Sequence, residues 1–239
     1  HDNRLSSDSL YSALIQGIKE TGINIISLGL CTTPMYYYAC IKLKVYSGVM
    51  VTASHNPKDD NGFKFAFDES GNCKGQEIQD FLAYILKGEF SKGEGSVEEY
   101  DIEPDYIELF RNNFTFGKRR VKVVLDPGNG TTSIIMKKLY EMFPIDIITI
   151  NDVSDGHFPN HHPDPCVEAN LEQLKKKVIE TNALIGLSFD GDGDRMGMVS
   201  NTAKFIPTDY YMIMVIIDII NKVSKKEFLY DVKCSKYIS

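Results

Sequence analysis

Two short segments that lie far apart in the sequence contain side chains able to do chemistry together. The serine loop, residues 52–57, reads Thr-Ala-Ser-His-Asn-Pro and offers the hydroxyl of Ser54. The acidic loop, residues 190–195, reads Asp-Gly-Asp-Gly-Asp-Arg and has carboxylates at alternate positions, Asp190, Asp192 and Asp194. The intervening glycines let the backbone curl so that three carboxylates face one point, which suits a hard divalent cation. Arg195 adds a planar cation that matches a phosphate. This combination indicates a serine that carries a phosphoryl group beside a metal, and therefore phosphoryl transfer.

The acidic loop has two alternative interpretations. Alternating acidic residues also begin a calcium-binding EF-hand loop. An EF-hand would need glycine at the position of Arg195 and glutamate at the position of Asn201, so this alternative fails at both positions. A purely structural acidic turn is disfavoured because three carboxylates this close repel one another unless a cation neutralises them.

The serine loop also has simpler interpretations. A loop serine often makes only a local turn hydrogen bond, and it is the distant acidic loop that favours the phosphoryl role. A hydrolase would use His55 as the base for Ser54, but adjacent residues of an extended segment point to opposite sides.

Two further motifs are interpreted as structural. Three histidines alternate with prolines in an irregular loop, where we expect hydrogen bonds rather than a transition-metal site: His157, His161 and His162. Residues 126–130, Asp-Pro-Gly-Asn-Gly, lack the full G-x-G-x-x-G pattern and the P-loop lysine, so they predict a tight strand-to-helix connection.

The composition argues against several classes of partner. The 239 residues are 43% hydrophobic and 25% charged, and the formal net charge is -7, which disfavours nucleic acid and anionic membrane surfaces. The run of lysines at 175–177 is expected to be the solvated face of a helix. Five scattered cysteines, without a close C-x-x-C pair, predict no disulfide framework or zinc site and favour a reducing cytoplasm. The most apolar stretch, residues 210–220, is shorter than the roughly 20 residues needed to span a bilayer.

The first unit, to residue 99, predicts an α/β layer. Apolar residues recur at helical spacing around Leu14 and around Phe81. Residues 24–28 and 47–51 are typical of buried strands, and the second of these runs leads into the serine loop. Ligands bind at the carboxyl ends of strands in open α/β sheets, so a reactive serine is expected there. The glycine-rich and charged residues 87–99 predict a linker or exposed connection.

A second unit alternates strands and helices, which predicts parallel strands. Strands are predicted over residues 121–125, 145–150 and 183–189. Helices are predicted over residues 131–142 and after Asn170, which we interpret as an N-cap. A third unit then begins with the apolar run and a strand over residues 227–233. A helix that is apolar on nearly every side needs cover from both directions, so most of its sheet is expected to be missing.

These motifs together resemble the alpha-D-phosphohexomutases, and within them the bacterial phosphomannomutase/phosphoglucomutase group. The resemblance covers nearly the whole chain and rests on motifs in a fixed order: residues 1–7 (His-Asp-Asn-Arg-Leu-Ser-Ser), the serine loop followed by residues 61–64 (Asn-Gly-Phe-Lys), residues 126–130, residues 155–165 and the acidic loop. Residues 155–165, Asp-Gly-His-Phe-Pro-Asn-His-His-Pro-Asp-Pro, are similar to this group rather than to the phosphoglucosamine mutases.

The resemblance implies a fold of consecutive three-layer α/β/α domains with mixed, mostly parallel sheets. Residues 1–99 would be an N-terminally incomplete domain 1, residues 100–205 domain 2, and residues 206–239 the start of domain 3. The implied activity interconverts hexose 1-phosphate and 6-phosphate, with mannose or glucose as the sugar. The intermediates would be a phosphoserine enzyme and a hexose 1,6-bisphosphate.

The resemblance also implies roles for single residues. Mg²⁺ would be held by the three aspartates and by an oxygen of phosphorylated Ser54. His55 and Asn56 would shape the serine loop and contact the phosphate. Lys64 would lie near the transferred phosphoryl group as a charge stabiliser or acid/base participant, and Arg195 would bind phosphate. The expected partner is a small phosphosugar, without nucleic acid or membrane, and the expected state is a cytoplasmic monomer, with a dimer as the alternative.

Two alternatives stay open at this point. By resemblance, the sugar-recognition loop of domain 3 and the phosphate-binding loop of domain 4 lie beyond residue 239. The chain could therefore be a catalytically incompetent metal-binding fragment. A sugar-phosphate phosphatase would use the same loops with water as the acceptor.

Overall fold

The computed structural model describes residues 1–69, 71–224, 227, 228, 230, 234 and 235. The first unit and the helix after it contain these elements in order: α1 (Ser7–Glu20), β1 (Ile25–Ser27), α2 (Thr33–Leu43), β2 (Gly48–Val51), β3 (Phe63–Ala66), α3 (Gln76–Lys87), β4 (Val97–Glu99) and α4 (Glu103–Asn113). The predicted helices around Leu14 and Phe81 are α1 and α3, and the two predicted strands are β1 and β2.

The strands of the first unit form two separate pairs among the described residues. β1 pairs with β4 in parallel, and β2 pairs with β3 in antiparallel orientation. The expectation that residues 87–99 are only a connection is therefore wrong at its end, because Val97–Glu99 form β4. Glycine makes this pairing possible, since a Cβ on Gly95 would lie 2.0 Å from the carbonyl oxygen of Ile23.

An apolar cavity of about 710 Å³ lies between the two strand pairs and is lined by residues of β1, β2 and α1. The first two residues of the chain lie beside the ends of these strands. The amino nitrogen of His1 donates to the carbonyl of Gly29 at 2.9 Å, and the N–H of Asp2 donates to the carbonyl of Val51 at 3.0 Å. The chain thus crosses from the end of β1 to the end of β2, directly beside the start of the serine loop.

The second unit is built on a five-stranded mixed sheet. Its elements are β5 (Val121–Asp126), a 3-10 helix (Thr131–Ile134), α5 (Met136–Tyr140), β6 (Ile145–Thr149), a second 3-10 helix (Glu168–Leu171), α6 (Glu172–Thr181), β7 (Ile185–Phe189), β8 (Met196–Ser200) and β9 (Phe205–Ile206). The strand order is β6-β5-β7-β8-β9. The predicted strands β5, β6 and β7 are parallel, whereas β8 and β9 are antiparallel additions that the sequence analysis missed.

Two predicted helix features of this unit are wrong. The helix predicted over residues 131–142 is a 3-10 turn followed by five residues of α-helix, broken at Ile135 with φ -121°. Hydroxyl and β-branched side chains at the start of this stretch disfavour a regular helix. Asn170 is not an N-cap, because it lies inside the second 3-10 helix and its side-chain amide donates to the carbonyl of Asp164 at 2.9 Å.

A shared core joins the two units. Buried Met35 and Tyr36 of α2 belong to one hydrophobic cluster with Tyr106 of α4 and with Ile135 and Leu139 beside the second sheet. Burial of such side chains contributes roughly 1.5–3 kcal/mol each. The same cluster contains Met50 of β2, so it packs the strand that precedes the serine loop against the second unit.

The third unit is represented by α7 (Thr208–Ile219). None of its residues is buried, and Met214 and Ile217 are 63% and 64% accessible. The strand predicted over residues 227–233 falls mostly outside the described residues. Among the residues described, no helix is both long and apolar enough to cross a membrane.

Candidate active site

The serine loop leaves the carboxyl end of β2 and holds Ser54 in an unusual backbone conformation. Ser54 has φ +51°, in the left-handed region that non-glycine residues seldom adopt. Its N–H donates to Oγ1 of Thr52 at 2.9 Å. Its own Oγ donates to Oδ2 of Asp190 at 2.8 Å, so the structure brings the two predicted loops into direct contact.

The acidic loop is the hairpin connection between β7 and β8. One carboxylate oxygen from each of its aspartates lies within 4.8 Å of the others, and Asp190 and Asp192 are fully buried. Gly193 has φ +79°, and a Cβ on Gly191 would lie 2.6 Å from the carbonyl oxygen of Ser54. The glycines therefore allow both the tight curl and the close approach of the serine loop.

Burial and mutual repulsion govern the ionisation of this cluster. Desolvation, together with the charges of Asp192 and Asp194, raises the pKa of Asp190 to about 8. Burial also acts to raise the pKa of Asp192, but the charge and hydrogen bond of Lys64 outweigh it, and that pKa is lowered. This raised pKa favours the protonated form of the Asp190 carboxyl at neutral pH.

Lys64 of β3 is the counter-ion of the acidic loop. Its Nζ lies 2.7 Å from Oδ2 of Asp192 and 2.7 Å from Oδ2 of Asp194. Burial lowers the pKa of Lys64, but the charges of the two carboxylates and the hydrogen bonds to them prevail and raise it. The predicted role of Lys64 near a phosphoryl group depends on this placement beside both loops.

The donor set fits a divalent cation. Oδ1 of Asp192 is buried and has no hydrogen-bond partner in the part of the chain that the structure describes. A buried carboxylate oxygen without a partner is costly, and a cation would satisfy it. Three converging carboxylates are oxygen ligands of the type that Mg²⁺ and Ca²⁺ accept.

The other predicted site residues lie around this centre. His55 pairs with Asp164 through Nδ1 and Oδ2 at 3.0 Å, not with Ser54 as a hydrolase would require. Burial acts to raise the pKa of Asp164, but the hydrogen bond from His55, with further contributions, lowers it. Asn56 in the serine loop and Arg195 at the end of the acidic loop are exposed.

The start of α2 contributes residues that the sequence analysis missed. Thr33 donates its Oγ1 hydroxyl to Oδ2 of Asp192 at 2.6 Å and its N–H to the carbonyl of Asp192 at 2.9 Å. The amino end of a helix carries partial positive charge, which stabilises the acidic loop. The Thr-Thr-Pro sequence at residues 32–34 is a readable N-cap signal, and Thr32 does accept the N–H of Met35.

Three further residues near the site had no role predicted from the sequence: Asp2, Arg4 and Thr52. Oγ1 of Thr52 donates to a carboxylate oxygen of Asp2 at 2.8 Å and contacts Oδ2 of Asp192 at 3.1 Å. Arg4 contacts the serine loop from beneath through its guanidinium. No sequence signal could have found these contacts, because each joins segments that are distant along the chain.

The histidines of the proline-rich loop make separate contacts. His161 pairs with the buried Asp126 at 3.0 Å, and His157 pairs with Asp155 at 2.8 Å. In the described part of the chain, the three aspartates of the acidic loop are the only cluster with metal-ligating geometry.

Comparison with known proteins places the chain in a family. A profile for the phosphoglucomutase/phosphomannomutase α/β/α domain I matches residues 1–92, and one for domain II of the same proteins matches residues 104–203. The phosphomannomutase/phosphoglucomutase of Pseudomonas aeruginosa is 40% identical over 235 residues, which are 98% of this chain and 50% of that protein. The phosphoglucomutase of Neisseria gonorrhoeae is 35% identical over 240 residues, covering the whole of this chain and 52% of that protein.

A solved structure agrees with these sequence matches. The crystal structure of a phosphoglucomutase/phosphomannomutase family protein from Burkholderia thailandensis superposes with a TM-score of 0.85 and 32% identity, over 92% of this chain and 50% of that one. The α/β fold of this chain is thus shared with a solved member of that group of proteins. The chain belongs to the phosphoglucomutase/phosphomannomutase family, which confirms the resemblance and the predicted fold class. It spans about half the length of the curated relatives it matches.

Proposed function

We propose that the protein to which this chain belongs is a phosphohexomutase that interconverts hexose 1-phosphate and hexose 6-phosphate, with glucose or mannose as the sugar. The observation that carries this proposal is the 2.8 Å contact between Oγ of Ser54 and Asp190 of the acidic loop. That contact sets a hydroxyl able to carry a phosphoryl group beside a set of ligands for a divalent cation.

Ser54 is the phosphoryl carrier in this proposal. Phosphorylated Ser54 gives its phosphoryl group to the free hydroxyl of a hexose monophosphate, which forms a hexose 1,6-bisphosphate and frees the serine hydroxyl. The bisphosphate then turns and returns its other phosphoryl group to Ser54, so the enzyme ends phosphorylated. The strained backbone of Ser54 fixes the direction of its Oγ, and such positioning supplies much of the acceleration in phosphoryl transfer.

The surrounding charges would stabilise the transferring group. The three aspartates of the acidic loop would hold Mg²⁺, which when bound supplies positive charge to the phosphoryl oxygens. Lys64 would offset charge on the same group from β3, the strand that pairs with β2. His55, fixed by Asp164, and the exposed Asn56 and Arg195 would contact the phosphate from the mouth of the site.

We also propose a division of the chain into domain 1 (1–99), domain 2 (100–205) and the start of domain 3 (206–239). The limits of the two family profiles, at residues 92, 104 and 203, support these boundaries. The apolar cavity between β1 and β2 supports an incomplete domain 1, because a further strand could pair with both. On its own, the 239-residue chain is then expected to bind metal without turning over sugar.

Mass spectrometry of the intact whole protein tests the role of Ser54. We expect a labile phosphate that phosphatase removes and that glucose 1,6-bisphosphate restores. Ser54→Ala should abolish restoration, while Ser9→Ala, on the exposed face of α1, should leave it unchanged. Failure of the parent to be rephosphorylated would contradict the proposal.

An assay of the whole protein beside the 239-residue chain distinguishes the remaining alternatives. Mutase turnover by the whole protein, with none by the 239-residue chain, supports both the mutase proposal and the proposal that the shorter chain is catalytically incompetent. Equal turnover by the two would refute the incompetent fragment, and release of free phosphate without isomerisation would identify a phosphatase instead.

A further inference from the structure

The guanidinium of Arg4 is buried beneath the serine loop with every N–H used. Its side chain is 0% exposed, and its Nε donates to Oδ2 of Asp2 at 3.2 Å. The remaining four donors reach main-chain carbonyls, those of Pro57 (2.6 Å), Asp60 (3.0 Å), Ser54 (2.7 Å) and Asn56 (2.8 Å). One side chain thus donates hydrogen bonds to four carbonyl groups within the seven consecutive residues 54–60.

This arrangement fixes the backbone on both sides of Ser54. A non-glycine residue at φ +51° costs roughly 1–2 kcal/mol, so neighbouring contacts must hold it there. Thr52 accepts the N–H of Ser54, and Arg4 donates to its carbonyl. Because a trans peptide holds its C=O and N–H on opposite sides, the same contact turns the N–H of His55 away from Arg4.

Arg4 also determines which way the negatively polarised carbonyl oxygens of the serine loop point. Carbonyl oxygens turned towards a phosphoryl group would repel it, whereas here four of them face a cation below the loop. Asp2 balances that buried cation and is itself fully buried, with a further hydrogen bond from Thr52. A buried pair of this kind contributes little net stability, so its value lies in orientation.

We propose that Arg4 is a positioning residue that holds the carbonyl groups of the serine loop inward and thereby aims Oγ of Ser54 at the acidic loop. Lysine cannot replace it, because an ammonium group has three donors and no planar fork. The effect on phosphoryl transfer rests on the proposed function, whereas the effect on loop structure does not.

The test compares Arg4→Ala and Arg4→Lys in the whole protein with Arg120→Ala, which removes an exposed arginine paired with Asp146. Hydrogen–deuterium exchange of residues 52–62 should be at least about tenfold faster in both Arg4 variants, while α6 exchanges as in the parent. Rephosphorylation by glucose 1,6-bisphosphate should slow by about 100-fold, as expected for a misplacement of about 1 Å, with the bisphosphate concentration for half-maximal rate little changed. Arg120→Ala should alter neither measurement.

Chemical rescue separates positioning from general stability. Millimolar methylguanidinium should restore part of the rate of Arg4→Ala and slow the exchange of its serine loop, whereas methylammonium at the same ionic strength should do neither. The proposal is overturned if loop exchange in Arg4→Ala matches the parent. It is equally overturned if α6 opens as much as the loop in both Arg4 variants, since Arg4 would then be a general structural residue. If the parent itself is not rephosphorylated, the proposed function fails. The role of Arg4 is still decided by the hydrogen–deuterium exchange of the serine loop and by whether methylguanidinium slows that exchange in Arg4→Ala.

Discussion

Binding of Mg²⁺ to the acidic loop should release a proton from Asp190. Desolvation and the neighbouring Asp192 and Asp194 raise the pKa of Asp190 to about 8, so its carboxyl is protonated at neutral pH. A carboxyl must be ionised to ligate a cation well. Asp192 and Lys64 keep their charge in this range, because the pKa of Asp192 is lowered and that of Lys64 is raised.

The magnitude is set by the pKa of Asp190. Below pH 8 the apparent affinity for Mg²⁺ should fall about tenfold per pH unit, which is about 1.4 kcal/mol per unit. In the metal-free protein the same group acts on stability. The pKa of Asp190 is about 8 in the folded state and has the ordinary value of 3.8 in the unfolded state. The folded state therefore binds more protons than the unfolded state at pH values between these two. The unfolding free energy should therefore decrease as pH rises from about 4 to about 8.

Isothermal titration calorimetry checks this prediction. At pH 7, titrations in buffers of different ionisation enthalpy should show release of about one proton for each Mg²⁺ bound. Asp190→Asn should bind more weakly and without pH dependence between pH 6 and 8.5, while Asp218→Asn, exposed on α7, should behave as the parent. A dissociation constant of the parent that is constant over this range, with no proton released, would refute the reasoning.

Three further changes have defined outcomes. Gly191→Ala places a Cβ 2.6 Å from the carbonyl oxygen of Ser54 and should slow rephosphorylation, measured by intact mass, by about 100-fold. The control Gly17→Ala has open space around the new Cβ in α1, so it should leave the rate unchanged. It should also raise the unfolding free energy by roughly 0.5–1 kcal/mol, because alanine favours a helix more than glycine does. Lys64→Met should lower the unfolding free energy in EDTA by about 3 kcal/mol, because it leaves two carboxylates without their counter-ion. Excess Mg²⁺ should then stabilise the variant more than the parent, which chemical denaturation measures. Burial acts to lower the pKa of His161, but the hydrogen bond with Asp126 and the charge of that carboxylate outweigh burial and raise the pKa. The contribution of this pair to the unfolding free energy is therefore complete below pH 6.5 and is lost as the pH rises through the raised pKa. The stability advantage of the parent over His161→Gln should accordingly shrink above pH 6.5; an advantage that is constant with pH would contradict this assignment.

The local patterns predicted the residues of the proposed site but not the contacts that support them. The acidic loop could be interpreted alone, because glycine at alternate positions and three carboxylates have few other uses. The strands before both loops were predicted from their apolar runs, and the structure contains them as β2 and β7. β8 was missed, since Met196–Ser200 includes a glycine and is too short for its apolar residues to stand out after the acidic loop. Strand β4 was missed because its residues are exposed and charged, and its pairing with β1 depends on backbone contacts through Gly95.

Residue types and their spacing were enough to indicate a phosphoryl carrier, a cation site and an α/β scaffold, because these properties depend on side-chain chemistry and short-range periodicity. Folding alone settled which groups meet. The 2.8 Å contact of Ser54 with Asp190, the pairing of His55 with Asp164 and the cage of carbonyls around Arg4 join residues from 50 to 136 positions apart. Such contacts arise from the packing of helices and sheets against a common core, and no local pattern encodes that packing.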